Sequence, residues 1–245
     1  MAHETLTEFC FKRLSREIAL ERITGFEDIE KVQTASGEDG GGIKLYRGDK
    51  IDKVSLVDFT FGQGAPVPHY DNGISTGSEL FQIIPDYSYK LPVWGINSVI
   101  MKNGEYHFDT DFSFGFDLVM DYEYTMKYLD PFNEIYEKFC RHPDLTRVFL
   151  DETTTWVRTY ISPVFIIART TVDKVQTVYD LCDEIIKLWV RMYREAEKGD
   201  DAFKKKQQQR INSQYAGMND TDRMAKVILG IYGQETFKKF FKAMV

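Results

Sequence analysis

The dipeptide Asn103-Gly104 separates two strand-like runs, and it constrains the fold more than any other feature of the chain. A tight two-residue hairpin turn needs positive φ at both central positions, and Asn followed by Gly adopts this conformation readily. Residues 93–101 and 105–114 are therefore predicted to pair as antiparallel strands. The pairing brings residues 94–101 against residues 106–112.

Further strand-like stretches lie on both sides of this hairpin. They comprise residues 43–47, 53–61, 79–84 and 160–168. In a strand, alternate residues point to the same face. One face of residues 53–61 is therefore predicted to carry Val54, Leu56, Asp58 and Thr60. Residues 62–77 contain several Gly and Pro residues and are predicted to form a loop.

Helical patterns precede and follow the strands. They cover residues 5–23, 122–140, 171–198 and 219–245. Pro131 is expected to interrupt the second of them. The chain of 245 residues is long enough for one sizeable core, and we predict a single domain over residues 1–245. The predicted class is α+β, with one antiparallel sheet sandwiched by helices.

Composition excludes several classes of function. A net charge of −7 argues against nucleic acid as the main partner. No apolar run reaches the length of a membrane span, and residues 1–5 show no signal-peptide pattern. We therefore expect no membrane association and a cytoplasmic location. The aromatic share of 14% fits either an aromatic core or a broad pocket for a conjugated ligand.

Bound metal and flavin are also not expected. Cys10, Cys140 and Cys182 are widely spaced, as is usual for reduced thiols, and the histidines show no metal-ligand spacing. Residues 40–42 are three consecutive glycines, but no predicted helix follows them. They therefore lack the context of a dinucleotide-binding loop.

Several segments resemble the ferredoxin-dependent bilin reductases. Residues 84–97, Ile-Pro-Asp-Tyr-Ser-Tyr-Lys-Leu-Pro-Val-Trp-Gly-Ile-Asn, are similar to the family's Phe-Pro-x-x-x-Tyr-x-x-Pro-x-Phe-Gly-x-Asp. Residues 110–112, Thr-Asp-Phe, resemble its Phe-Asp-Phe, and residues 160–169 resemble its Tyr-x-Ser-Pro-x-x-x-x-x-Arg strand. An Asn-Asp pair at residues 219–220 opens the last predicted helix, as in the family. The resemblance covers roughly residues 53–245.

The resemblance implies both a fold and a chemistry. The fold is an α/β/α sandwich that holds a linear tetrapyrrole, biliverdin or a close relative, between the sheet and the C-terminal helices. The chemistry is stepwise electron delivery from ferredoxin, with protons from pocket side chains and without metal or flavin. An acid in such a pocket must hold a proton near neutral pH, which burial makes possible.

Two departures from the family pattern leave other functions open. Asn97 stands where the phycocyanobilin-forming branch has Asp, although the phytochromobilin-forming plant branch resembles this chain in having Asn. Leu80 stands where the first branch has His. Glu79, in Glu-Leu-Phe-Gln, resembles the Glu-Leu-x-Gln of red chlorophyll catabolite reductases. The alternatives are thus a reductase of an open-chain chlorophyll catabolite, or a non-catalytic tetrapyrrole-binding protein.

The candidate catalytic residues are Asp220, Glu79 and Asn97. Asp220 is either a pocket acid, as the resemblance implies, or a helix N-cap, for which Asp is a preferred residue. Glu79 begins an apolar strand and lies either in the pocket or at an exposed edge. Asn97 interrupts an apolar strand, so its amide must be hydrogen-bonded, to ligand or to backbone.

The candidate substrate-binding residues include two arginines. Arg169 and Arg223 could hold the propionates of a bilin, or could pair locally at the surface. The remaining candidates lie on predicted strands and are Asp58, Trp94 and His107. Asp109 and Asp111 alternate with phenylalanines on the second hairpin strand, and they are either exposed to solvent or further residues of the pocket.

A basic run is the candidate site for protein docking. It consists of Lys204, Lys205 and Lys206, with Arg210 one helical turn further on. Such a run is usually a solvated helix face. In an acidic protein that must meet an acidic ferredoxin, it is also a plausible docking patch.

Overall fold

The computed structural model describes residues 4–67, 73–148, 159–221 and 223–244, with the backbone alone for residues 218–221, 223 and 241. Within these ranges, eight strands form one open antiparallel sheet in the order β1-β2-β3-β4-β5-β6-β8-β7. The strands are β1 Glu21–Arg22, β2 Gly41–Gly48, β3 Ile51–Val67, β4 Gly73–Pro85, β5 Val93–Met101, β6 Glu105–Ser113, β7 Thr146–Arg147 and β8 Ile166–Thr171.

Helices surround the sheet. They are α1 Leu6–Ser15, α2 Tyr122–Tyr124, α3 Asp130–Cys140, α4 Gln176–Glu195, α5 Asp201–Thr221 and α6 Arg223–Met244. A π-helical turn, Thr125–Leu129, joins α2 to α3, and short 3-10 turns cover Glu27–Ile29 and Val172–Lys174. Gly233 has φ of 76° and kinks α6.

The two helical layers cover opposite faces of the sheet. Helices α1, α3 and α4 pack on one face, where Phe81, Trp94 and Phe108 are fully buried. Helix α6 covers Val57 and Phe59 on the other face, and α5 places Ile211 against Ile84 and Val93. The predicted α/β/α sandwich is confirmed. We call the two sides the α1/α4 face and the α5/α6 face.

The predicted hairpin pairing is confirmed. Its turn differs from the expected type, because Gly104 has φ of 86° whereas Asn103 does not have a positive φ. The predicted loop at 62–77 is wrong for residues 62–67 and 73–77, and residues 68–72 lie outside the described residues. Strand β3 runs to Val67 and pairs with the beginning of β4. Gly62 and Gly64 have φ of 53° and 105°, and the register shifts between Thr60 and Ala65. The glycines thus form an irregularity within a long strand pair, because they tolerate positive φ there.

Three other boundaries differ from prediction. Helix α1 ends at Ser15, and the predicted strand at 160–168 begins only at Ile166. Pro131 lies in the first turn of α3, directly after the π-helical turn Thr125–Leu129. The helical run continues through Pro131, but its α-helical hydrogen bonding is interrupted just before the proline, as predicted. Helix α5 was not predicted, because its sequence is polar and has too few apolar positions to show a helical pattern.

Candidate functional site

A row of polar side chains crosses three strands on the α5/α6 face. Ser78 on β4 donates from Oγ to Oδ1 of Asn97 on β5 at 3.2 Å. Asn97 donates from Nδ2 to Oδ2 of Asp109 on β6 at 3.2 Å. Asn97 and Asp109 are direct cross-strand partners, so period-two alternation places both on this face. The Asn97 amide is thus hydrogen-bonded to two neighbouring side chains, whereas the predicted partner was either ligand or backbone.

A second carboxyl follows two residues along β6. Asp111 accepts hydrogen bonds from the Ser162 backbone N at 2.9 Å, from Ser162 Oγ, and from the Phe112 backbone N at 2.8 Å. Burial raises the pKa of Asp111 to about 7, against the opposing effect of these donors. The side chain therefore fastens the turn before β8 to the sheet and exchanges a proton near neutral pH.

Helix α5 packs on the same face, at the Asp111 end of the strands. Gln214 donates to the carbonyl of Tyr160, and Gln82 on β4 donates to the hydroxyl of Tyr215 at 2.8 Å. A Cβ on Gly217 would lie 2.5 Å from Cζ of the Tyr160 ring, so a larger residue there requires the ring to move. Burial raises the pKa of Tyr215 far above its usual range. The helix, the turn at 159–165 and the sheet thus converge on one polar region.

His107 and Arg169 lie on the same face, nearer the hairpin end of the strands. They are cross-strand partners on β6 and β8. His107 is buried, and its Nε2 lies 3.1 Å from Oε2 of Glu105. Nη1 of Arg169 lies 3.4 Å from Oε1 of Glu105. The hydrogen bond from His107 is the largest cause that lowers the pKa of Glu105. Arg169 is thus half-exposed and locally paired in this structure.

Glu79, Asp58 and Trp94 lie on the opposite, α1/α4 face. Glu79 pairs in register with Ser98, the neighbour of Asn97, and therefore points away from the Asn97 side. Its Oε2 accepts from Ser98 Oγ at 3.3 Å, and also from the first turn of α1 and from the hydroxyl of Tyr106. The three predicted catalytic residues consequently do not converge on one site.

The other two residues of that group are equally remote from Asn97. Asp58 accepts from Thr7 Oγ1 at 2.6 Å, beneath α1. Trp94 is fully buried and donates from Nε1 to Thr110 Oγ1 at 2.9 Å. Both were predicted to bind substrate. Asp58 thus lies beneath α1, whereas Trp94 packs against Phe81 in the core on the same face. Substrate binding by either residue stays a prediction.

Two predicted residues have side chains outside those described. Asp220 lies in the last turn of α5, and Arg223 begins α6. An N-cap residue lies immediately before a helix, whereas the backbone of Asp220 lies inside α5. Asp220 is therefore not at the expected N-cap position of α6. Asp220 remains a prediction as a pocket acid, and Arg223 remains one as a propionate ligand.

The basic residues of α5 are accessible. Lys205, Lys206 and Arg210 are exposed, while Lys204 is partly buried and pairs with Asp86 at 3.2 Å. In the described ranges, we find no group of three or more residues suited to hold a metal ion. No helix among the residues described is long and apolar enough to cross a membrane.

Comparison with known proteins agrees with this geometry. The sequence model of the ferredoxin-dependent bilin reductases matches residues 80–245. The chain belongs to the ferredoxin-dependent bilin reductase family. The crystal structure of phytochromobilin synthase from tomato in complex with biliverdin is similar in fold, with a TM-score of 0.75 and 12% identity. The similarity covers 95% of this chain and 78% of that one. No curated protein matches the sequence.

Membership in the bilin reductase family confirms the resemblance on which the sequence interpretation depended. The family match begins at residue 80 and includes β5, β6, β8 and the C-terminal helices. These elements carry Asn97 and Asp109 of the polar row, the Asp111–Ser162 contact and α5, whereas Ser78 precedes the matched residues. The sequence interpretation treated Asp109 and Asp111 only as secondary candidates. Their alternation with phenylalanines was the available signal, because it places both carboxyls on one face of a half-buried strand.

Proposed function

We propose that this protein reduces biliverdin or a close relative with electrons from reduced ferredoxin. Family membership supports ferredoxin as the donor, and the biliverdin complex of the tomato relative supports the class of substrate. The observation that carries the proposal is the row Ser78–Asn97–Asp109 on the α5/α6 face of the sheet. It offers hydrogen-bonding groups and acids along one face of a sheet covered by helices.

The polar row divides the chemical tasks between an amide and carboxyls. Reduction of one double bond consumes two electrons, delivered singly by two reduced ferredoxins, and two protons. Asn97 can orient pyrrole and lactam groups by hydrogen bonds, but an amide cannot act as the acid. Asp109 and Asp111 are therefore the proposed proton sources among the described side chains, with Asp220 as a third candidate.

The pKa of about 7 makes Asp111 suited to this role. A general acid is most effective when its pKa lies near the working pH, because it is then both protonated and able to release its proton. Ser162 donates two hydrogen bonds that stabilise the carboxylate left behind. The same contacts keep the turn at 159–165 in place beside α5.

The alternatives receive less support from the geometry. The residue that suggested a chlorophyll-catabolite reductase, Glu79, is held beneath α1 on the face away from Asn97. A non-catalytic binding protein was favoured by the loss of an acid at position 97. Asp109 and Asp111 supply carboxyls on the same face, which favours an enzyme.

Anaerobic incubation of the purified protein with biliverdin tests the proposal. With reduced ferredoxin, the visible spectrum of the pigment should change progressively as its conjugated system shortens, and a product should be separable by chromatography. Without ferredoxin, only a binding shift should appear. A red chlorophyll catabolite in place of biliverdin tests the rival substrate. A stable binding spectrum, with no product from either pigment, would instead support a non-catalytic binder.

A further inference from the structure

The turn between β6 and α2 exposes an unusual cluster of apolar side chains. Val119 is 89% exposed, Met120 84% and Tyr122 68%, all within four consecutive residues. By contrast, Val172 and Leu229 are 42% and 39% exposed and stand apart in the chain. Single exposed apolar residues are normal on protein surfaces, whereas a contiguous group marks an interaction site.

This apolar turn is held in its exposed position by specific contacts. The carboxyl of Asp117 accepts from the backbone N of Val119 at 2.9 Å. Thr125 donates from Oγ1 to the carbonyl of Leu118 at 2.9 Å, and Lys90 forms an ion pair with Asp121. These contacts fix both ends of the turn. The apolar side chains are therefore presented to solvent by an ordered backbone.

The apolar turn starts beside the basic part of α5. A Cβ on Gly115 would lie 3.0 Å from the Cα of Gln207, so the chain leading into the turn touches the helix backbone. Gln207 also donates to the carbonyl of Tyr89 at 2.8 Å, which joins the adjacent loop to the same helical turn. Lys206 is the next residue on α5, and its side chain is exposed.

We propose that Val119, Met120 and Tyr122 form the apolar centre of the surface that docks ferredoxin, with Lys205, Lys206 and Arg210 as its charged rim. This inference rests on the proposed function. Electron-transfer complexes use small, transient interfaces. An apolar centre with a charged rim is the usual arrangement of a specific interface, and the basic rim complements an acidic partner.

The position of α5 explains why docking here serves the reaction. Its inner side contributes Gln214 and Tyr215 to the polar region, Lys205 and Lys206 are exposed on the other side, and the exposed Arg210 lies at the flank, one turn before Gln214. A helix is about 10 Å across. A donor bound outside α5 is thus separated from Gln214 and Tyr215 by roughly the width of one helix.

Direct binding measurements test the surface without requiring turnover. The affinity of oxidised ferredoxin is measured by calorimetry for the wild type and for Val119→Ser/Met120→Ser. We expect about a tenfold weaker affinity in the variant, on the scale of losing an interface hot spot. Val172→Ser/Leu229→Ser removes two exposed apolar side chains elsewhere and should bind ferredoxin like the wild type.

A charge change beside the apolar turn provides a second test of the docking surface. Glu123 is exposed next to Tyr122 and opposes an acidic partner, so Glu123→Lys should bind ferredoxin more tightly, and more so at low salt. Circular dichroism and biliverdin titration check that each variant is folded. Because ferredoxin binding is read directly, a protein that binds ferredoxin but reduces no pigment would contradict the proposed function alone.

The docking proposal is overturned if Val119→Ser/Met120→Ser keeps wild-type affinity for ferredoxin. It is also overturned if the wild type self-associates in sedimentation through this turn, or if it binds anionic lipid vesicles and the double variant does not. In those cases, the cluster is an interface with a second copy or with a membrane surface. A selective loss of ferredoxin affinity, with pigment binding intact, supports it.

Discussion

Asp58 and Glu79 lie directly opposite each other on β3 and β4, and the first turn of α1 contacts both carboxyls. Burial raises the pKa of both groups, and the proximity of Asp58 raises that of Glu79 further. Two carboxyls in such a site resist simultaneous ionisation. The pair therefore couples the attachment of α1 to pH.

This coupling has a definite sign. In the unfolded chain, the pKa values of Asp58 and Glu79 are both about 4. Between that pH and the raised folded values, the folded protein holds more protons than the unfolded chain. The free energy of unfolding should therefore decrease as the pH rises through this window.

Urea denaturation at several pH values measures the effect. Glu79→Gln stays neutral, so its free energy of unfolding should depend less on pH than that of the wild type. Glu235→Gln is the matched control, because Glu235 is exposed and pairs only weakly with Lys238 at 3.1 Å. Equal pH dependence in Glu79→Gln and the wild type would show that the pair does not titrate in this range.

The proposed acid Asp111 makes a separate prediction about turnover. If Asp111 donates a proton, the rate of biliverdin reduction should fall as the pH rises through about 7. Ser162→Ala removes a hydrogen bond that lowers the pKa of Asp111, so the decline should move to higher pH. Asp111→Asn should abolish this decline and slow turnover by about a hundredfold. An unchanged pH profile in both variants would exclude Asp111 as the acid.

Gly217 in α5 and Gly230 in α6 are a matched pair of positions for testing how closely α5 packs against Tyr160. A Cβ on Gly217 would collide with the Tyr160 ring, whereas a Cβ on Gly230 would meet nothing within 4 Å. Gly230→Ala should stabilise the protein by up to about 1 kcal/mol, the usual helix-propensity gain. Gly217→Ala should lose that gain to the collision and weaken biliverdin binding, as measured by thermal melts and pigment titration. Equal behaviour of the two variants would show that α5 is not held at this distance.

The sequence predicted the sheet better than it predicted the site. The hairpin at Asn103-Gly104 and the alternation in β3 and β5 follow from local signals, and the structure has both, although only Gly104 in the turn has a positive φ. Alternation groups residues within one strand, but it does not decide which groups of neighbouring strands share a face. That depends on register, which is why Glu79 and Asn97 were placed together although they point to opposite sides.

Helix α5 shows a second limit. Its polar sequence carries little amphipathic pattern, since only a few positions, such as Gln207 and Ile211, are buried. Gln207 is buried because it donates to two carbonyls of the loop at 87–89, a contact that no periodicity reveals. The helix that contributes Gln214 and Tyr215 to the polar region therefore became visible only in three dimensions.

Electron delivery can be tested through the charges on α5. Lys205→Glu/Lys206→Glu/Arg210→Glu should raise the KM for ferredoxin at low ionic strength, because attraction becomes repulsion. The increase in this KM should become smaller as the salt concentration is raised to about 0.1 M and above, because the Debye length is then about 10 Å or less. Lys138→Glu/Arg141→Glu/Lys187→Glu reverses the same number of charges on α3, at its C-cap and on α4, and should leave this KM unchanged. A parallel loss of biliverdin affinity in the α5 variant would indicate damage to folding and not to docking.

Asp220 offers the sharpest distinction between catalysis and structure. Asn has the size of Asp and keeps part of its hydrogen bonding, so Asp220→Asn should still bind biliverdin. If Asp220 is a pocket acid, turnover should fall by about a hundredfold or more. If it only supports the junction of α5 and α6, Asn should serve nearly as well, and the melting temperature and the rate should both stay close to wild type. Single-turnover reduction of bound biliverdin measures the rate apart from ferredoxin recruitment. A wild-type rate in Asp220→Asn would leave Asp109 and Asp111 as the proton sources.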